Sequence, residues 1–303
     1  MSNTTFSVDD EILVTVVTPV YNQASTLEET IESVLSQTYA NIEYIIVNDG
    51  STDNTQDILD SYSHTIKVIS QENKGQSEAL NRGWNESSGQ YLTYLSADDV
   101  IYPDCIESLV SSIDRTAVVY YPDFDLIDVH SNKIRSAEVP DYNREDLLCG
   151  LVCQPGLAAI FCANAFRATC GWDTSYRFIP DFEFWTRMSS HGHFKHVRKP
   201  LGGFRIHETS GSVRDISVGA SDEIVRFVDK FGYDNSNHKK RACFQSRLMS
   251  SRSHFQSHRI MKGVIRYFQA VCYNPIRAVM PANLKFVLSG LVRRIYYRLK
   301  ARG

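Results

Sequence analysis

Three features of the sequence predict an α/β protein with a parallel, doubly wound sheet flanked by helices and a helical extension at its C-terminal end. Strand-like apolar runs alternate with helix-like periods four times between Ile12 and Asp99, the order from which parallel, doubly wound sheets are built. The stretch Gly89 to Asp99 carries an apolar strand pattern straight into two adjacent carboxylates, Asp98 and Asp99. From Ser236 onward the chain holds fifteen Lys and Arg and not one acid.

The first unit opens with the β-branched run Ile12 to Val20, broken at Pro19, which reads as a buried strand. Ser25 with Glu28 three residues later forms a capping-box pattern, and Leu27, Ile31, Val34 and Leu35 recur at helical spacing behind it. Glu43 to Val47 is a second strand, running into the acidic loop Asn48 to Asn54 and a short helix through Ile58 and Leu59. Lys67 to Ser70 is a third, followed by a helix that carries Ala79, Leu80, Gly83 and Trp84. In the fourth, Tyr91, Thr93 and Leu95 alternate with Leu92 and Tyr94, so both faces are largely apolar, as in a sheet covered on each side. Ligands of such sheets bind beyond the carboxyl ends of the strands. Two adjacent acids there suit a hard divalent cation, and the same residues before Tyr102-Pro103 also suit a solvated turn and helix N-cap.

Four ordered segments carry a resemblance. Thr18-Pro19-Val20-Tyr21-Asn22, Asn48-Asp49-Gly50-Ser51-Thr52-Asp53, Asn73-Lys74-Gly75-Gln76 with Ala79 to Asn81, and Ser96-Ala97-Asp98-Asp99 together resemble the family 2 glycosyltransferases of the GT-A fold. The likeness runs from about Ile12 to Ser212. It implies that the sheet is mixed, mainly parallel, and that the protein is an inverting enzyme that moves a sugar from a nucleoside diphosphate-sugar to a saccharide or lipid-linked saccharide, using Mn²⁺ or Mg²⁺. By the same resemblance Thr18, Pro19, Tyr21 and Asp49 hold the base and ribose. Lys74, Gln76, Asp98 and Arg205 contact the donor, and Asp98 and Asp99 hold the metal, with His207 as a further ligand. Two departures stand out: Asn48 replaces the first of two acids after the second strand, and Ser96 replaces the first acid of the usual Asp-x-Asp-Asp.

In the second half, Ala117 to Tyr121 and Leu157 to Phe161 read as strands, with Gln154-Pro155-Gly156 resembling the family's acceptor-side turn. Asn164 to Thr169 reads as a short helix ended at Gly171. Pro180 suits a helix start and puts Asp181 in its first turn, with Phe182, Trp185 and Met188 on one face. The segment resembles the family's Glu-Asp helix with Pro180 in place of Glu, which implies that Asp181 is the catalytic base. Read by itself, it is a plain helix cap with a Glu183–Arg187 pair.

The expected organisation is a nucleotide-sugar half over 1–100, an acceptor and catalytic half over 101–212, and a basic helical extension over 213–303. Composition, at 43% hydrophobic and 22% charged, is that of a globular protein. Seven cysteines, odd in number and without paired metal-ligand spacing, and a polar N-terminus lead us to expect a cytoplasmic setting. The net charge of −3 conceals an acidic body, with 17 basic against 35 acidic residues, joined to the acid-free basic arm. Within the arm, Leu284, Val287, Leu288, Leu291, Val292, Ile295 and Leu299 form one helical stripe. That stripe fits an interfacial helix on an anionic inner membrane face; it fits equally a helix packed on the catalytic domain or on a second subunit. No nucleic-acid-binding module is present. No Gly-x-Gly-x-x-Gly follows the first strand and no phosphate-loop lysine occurs, which sets aside dehydrogenase and kinase readings. A non-catalytic sugar-nucleotide or glycan-binding protein of the same fold stays open beside the enzyme.

Overall fold

The computed structural model describes residues 12–206 and 217–300, with side chains described through residue 290. The chain divides into two compact units. The first comprises Met1–Tyr142, Gln154–Thr174 and Arg187–His207, and the second Asn143–Cys153, Ser175–Thr186 and Glu208–Gly303.

In the first unit the four expected strands form with a helix between each and the next, and the fourth runs on into a short strand instead of a fourth helix: β1 (Val14–Val20), α1 (Ala24–Leu35), β2 (Ile42–Asn48), α2 (Thr55–Ser61), β3 (Lys67–Ser70), α3 (Gln76–Asn85) and β4 (Tyr91–Tyr94). Strands β3, β2, β1 and β4 lie side by side in that order, all parallel. The chain thus winds outward to β3 and then returns to the other side of β1. In open α/β sheets such a reversal marks where ligands bind, here beyond the carboxyl ends of β1 and β4. After it come β5 (Val100–Ile101), α4 (Cys105–Ser111), β6 (Ala117–Ile127), β7 (Lys133–Ala137), β8 (Ile160–Cys162), α5 (Ala163–Thr169), α6 (Pro180–Met188), which runs on from the second unit, and β9 (His193–Arg205). Strand β8 pairs antiparallel with β4 and β6, and β9 runs parallel to β6, so the sheet is mixed.

Burial on both faces follows from the alternation. Val14, Val16 and Val20 join Leu27, Ile31 and Val34 of α1 and Leu59 of α2 in one core. On the opposite face α3 lies against β1 and β2 so closely that a Cβ on Gly83 would stand 2.4 Å from Val17 Cγ1. Trp84 fills that side. Its indole N–H donates to the Thr93 carbonyl at 3.1 Å, and its ring meets Tyr94, Phe161, Phe166 and Trp172 edge-on at 5.3–6.1 Å. Each such pair adds about 0.5–1.5 kcal/mol beyond burial.

Local readings needed two corrections. Helix α1 starts at Ala24 after Gln23, with no side-chain cap from its own turn, so the Ser25–Glu28 box does not form. The Ala24 N–H is instead met by Asp53 Oδ2 at 3.2 Å, from the loop after β2. The expected strand Leu157 to Phe161 shortens to Ile160–Cys162, because Ala158 takes a left-handed turn at φ 59°.

The second unit is helical: α7 (Val218–Ser221), α8 (Glu223–Lys230), α9 (Ser236–Gln256), α10 (Ile260–Tyr273), α11 (Pro275–Ala278) and α12 (Pro281–Lys300). Its core is Phe244, Leu248, Phe255, Ala270, Ala278 and Val287. Among the described residues no helix is long and apolar enough to cross a membrane.

Candidate active site

The loops at the carboxyl ends of β1, β2 and β3 are laced to one another by side chains. Asn22, held at φ 53°, donates its N–H to Ser51 Oγ and accepts the Thr52 N–H on Oδ1 at 2.7 Å. Asp49, 2% exposed, accepts the Lys74 N–H and Gln71 Nε2 on Oδ1 at 2.9 and 2.7 Å, and the Gly75 N–H on Oδ2 at 2.8 Å. Gly75 can serve this turn because its φ of 91° and ψ of 162° are open only to glycine.

These contacts refine the expected donor residues. Thr18 is fully buried and shares its hydroxyl with Tyr44 Oη at 3.1 Å, inside the sheet. Pro19 is buried within β1. Tyr21, Lys74 and Gln76 are exposed at the loop tips. Asp49 staples the 71–75 loop, and its partner Gln71 was not anticipated, since nothing local in the sequence marks it.

At the end of β4 the chain turns through Ser96 to Asp99, with the Asp99 N–H donating to the Ser96 carbonyl. Two hydroxyls of α1 fix this turn: Thr26 Oγ1 donates to the Ala97 carbonyl and Thr30 Oγ1 to the Asp99 carbonyl, both at 2.8 Å. Asp98 is half-buried and Asp99 is 3% exposed. Burial, and then the neighbouring charge of Asp98, push the Asp99 carboxyl well above the usual carboxylate range, against the opposing pull of the Arg205 N–H and guanidinium. The Arg205 N–H reaches Asp99 Oδ1 at 2.8 Å.

The Arg205 side chain, expected to face a phosphate, is turned inward and 1% exposed. Its Nε donates to the Asp98 carbonyl at 2.7 Å, Nη1 to the Asp128 carbonyl and Ser131 Oγ at 3.0 Å, and Nη2 to Glu29 Oε2 at 2.7 Å. In this arrangement it braces the loop that carries the two acids. His207 lies outside the described residues.

Among the described residues no three His, Cys, Asp or Glu gather closely enough to hold a metal ion by themselves. The Asp98–Asp99 pair nonetheless fits a hard cation. Two adjacent carboxylates, one of them buried, are what Mg²⁺ or Mn²⁺ can share with substrate phosphates.

Asp181 belongs to the second unit, at the start of α6. Glu223 prepares this helix start, its Oε2 accepting the N–H groups of Arg177, Phe178 and Ile179 at 3.1, 2.6 and 3.1 Å. No sequence signal had singled out Glu223. The Asp181 carboxyl is raised from its ordinary value by burial, offset in part by the Phe182 N–H on Oδ1 at 2.8 Å.

A twisted, mostly parallel sheet with helices on both faces and acids at its switch point defines an α/β protein that takes its ligand over the carboxyl strand ends. The glycosyl transferase family 2 model matches residues 15–168, and the chain belongs to that family. An uncharacterized glycosyltransferase of Rickettsia prowazekii is 36% identical over 188 residues, 58% of this chain and 58% of its own. Chondroitin synthase of Escherichia coli is 30% identical over 212 residues, 68% of this chain and 31% of its own. The chain therefore spans under two thirds of the length of these curated relatives. Among solved structures, S. aureus TarS 1–349 in complex with UDP has a TM-score of 0.63 at 13% identity, covering 95% of this chain and 92% of its own. The mannosyltransferase PcManGT from Pyrobaculum calidifontis, in complex with GDP-Man and Mn²⁺, has a TM-score of 0.60 at 15% identity, covering 95% and 88%. At such identities the likeness is one of fold, and the fold is GT-A.

Proposed function

We propose that this protein is an inverting glycosyltransferase that moves a sugar from a nucleoside diphosphate-sugar to a saccharide or lipid-linked saccharide. The observation that carries the reading is the adjacent pair of a half-buried Asp98 and a buried Asp99 at the end of β4 in a family 2 sheet. Relatives named as polysaccharide synthases and fold neighbours solved with UDP, UDP-GlcNAc or GDP-Man support it.

Asp98 and Asp99 would hold Mn²⁺ or Mg²⁺, which when bound supplies positive charge to the leaving diphosphate. Tyr21 offers an exposed ring for the base, and Lys74 and Gln76 offer polar tips to the donor. Asp49 and Arg205 keep the loops in place and act as positioning residues. Asp181 takes the proton of the acceptor hydroxyl as that oxygen attacks the anomeric carbon from the face opposite the diphosphate, so the configuration inverts. Its burial makes it a stronger base than an exposed carboxylate.

The test is a thermal-shift screen of nucleotide sugars with and without Mn²⁺, followed by assays on the donor found. Asp181→Asn should lower kcat by roughly 10²–10⁴-fold with donor affinity nearly unchanged. Because the base must be ionised and its pKa is raised, the acidic limb of kcat should lie above the ordinary carboxylate range. Retained configuration of the product by NMR refutes the mechanism, and full turnover in excess chelator refutes the metal.

A further inference from the structure

The second unit divides the sequence-predicted apolar stripe. Val287 turns into the helical core, where Gly290 also packs, a Cβ there meeting the Arg252 carbonyl at 2.4 Å. Leu284 and Leu288 remain outside. Beside them is an apolar surface that the periodicity did not show: Met261 and Phe268 of α10, Ile276 of α11 and Val279 just after it are 73, 62, 74 and 62% exposed.

Hydrogen bonds brace the α11 turn that carries Ile276 and leads into Val279. Ala278 is fully buried, the Asn274 side chain caps the Arg277 N–H at 3.0 Å, Tyr267 Oη donates to the Ala278 carbonyl at 3.1 Å, and Asn283 Nδ2 to the Arg277 carbonyl at 2.7 Å. The α11 turn is therefore a braced wedge.

Arg277, which follows Ile276 in the chain, lines a basic pocket of about 280 Å³ together with Lys240, Arg241, Phe244, Tyr273 and two asparagines. Arg241 is engaged with Glu145 and Asp146. Arg247 and Arg266 are likewise paired, with Asp229 and Asp222. Among the described residues, the side chains of Lys240, Lys262, Arg277 and Lys285 make no ion pair and are exposed.

We propose that this face, the first turns of α9 with α10 to the first half of α12, docks on an anionic lipid surface, with a headgroup phosphate seated between Lys240 and Arg277. Uncommitted cations around exposed aliphatic and aromatic side chains match a layer that is negative at its surface and apolar beneath. A two-fold contact between copies would set these cations against each other. Nucleic acid would satisfy the cations and leave the aliphatic wedge without a partner. The docking does not depend on the proposed reaction.

The experiment is sedimentation of the full chain with vesicles of phosphatidylcholine, alone or mixed with phosphatidylglycerol, at low and high salt and without any sugar nucleotide. The protein should bind the anionic vesicles. Ile276→Ser and Val279→Ser should each lower partitioning by about tenfold at either salt. Lys240→Gln and Arg277→Gln should each lower it by about fivefold at low salt only. All four side chains are exposed, so Tm should not move and folding is controlled. The proposal fails if the wild type stays in the supernatant at low salt or if the variants bind like it. It fails also if light scattering shows a dimer that Ile276→Ser abolishes, or if inorganic phosphate raises Tm in a protein that ignores vesicles.

Discussion

Asp49 and Asp99 occupy matching places, each a buried carboxylate in the loop after a parallel strand, yet their surroundings differ in the way that separates structure from function. Asp49 receives three N–H donors, two from backbone and one from Gln71, and so spends its charge on the 71–75 loop. Asp99 receives the Arg205 N–H, stands beside a second acid, and is pushed up in pKa. Arg205 meets that turn at the Asp98 carbonyl and carries its charge to Glu29. A buried acid surrounded by donors has its charge met; one placed next to another acid is raised in pKa instead.

The largest effect that sharpens this contrast is expected from Asp99→Asn, which should cut turnover by at least about a hundredfold, several kcal/mol of transition-state stabilisation, and abolish any rise in Tm on adding Mn²⁺ with a nucleoside diphosphate. Without ligand the same change should stabilise. A raised folded pKa means that the native state holds the proton longer than the unfolded chain. The contribution of Asp99 to stability therefore falls as pH rises from the ordinary carboxylate range to the folded pKa, by at most about 1.4 kcal/mol per pH unit, and is level beyond it. The Tm advantage of the variant should grow over that window. A constant or negative difference would break the comparison.

Asp49→Asn comes next. It should cost about 3 kcal/mol, because one carboxylate oxygen becomes an NH₂ facing N–H donors. Unchanged stability with weakened nucleotide binding would mark Asp49 as a ligand group after all. Arg205→Met should cost about 2–3 kcal/mol by urea denaturation, since the Asp98 and Asp128 carbonyls lose their donor, whereas the exposed Glu29 regains water. Arg205→Lys should recover part of that stability, and a variant that folds normally but loses only diphosphate affinity would restore the ligand role. The smallest effect is Lys74→Gln, expected to change stability by no more than about 0.5 kcal/mol, with any loss read in donor affinity by calorimetry.

Much of the first unit could be read from local pattern. Strands β1 to β4 and helices α1 to α3 follow from alternation and from helical spacing, which act within a few residues. The capping box at Ser25–Glu28 failed because Asp53, in another loop, meets the first free N–H of α1 instead. Strand β7 is exposed along most of its length, so no apolar run announced it. Strand β9 carries His193, Lys195, Arg198 and Lys199 through a thirteen-residue span, and its polar start masked it.

By itself, the sequence determined that the chain is a wound α/β protein with acids at the ends of two strands and a basic, acid-free arm. Those properties are set by residue type and by neighbours close along the chain. The structure decided which acid is stapled and which is left beside like charge, that Arg205 faces inward, that Glu223 anchors the helix bearing Asp181, and which apolar side chains of the arm stay outside. Each of these rests on partners tens of residues away: Asp49 with Gly75, Asp99 with Arg205, Ile179 with Glu223. Hydrogen bonds and burial over such separations arise only when the chain has packed, because no local periodicity encodes which distant group will arrive to meet a given carboxylate.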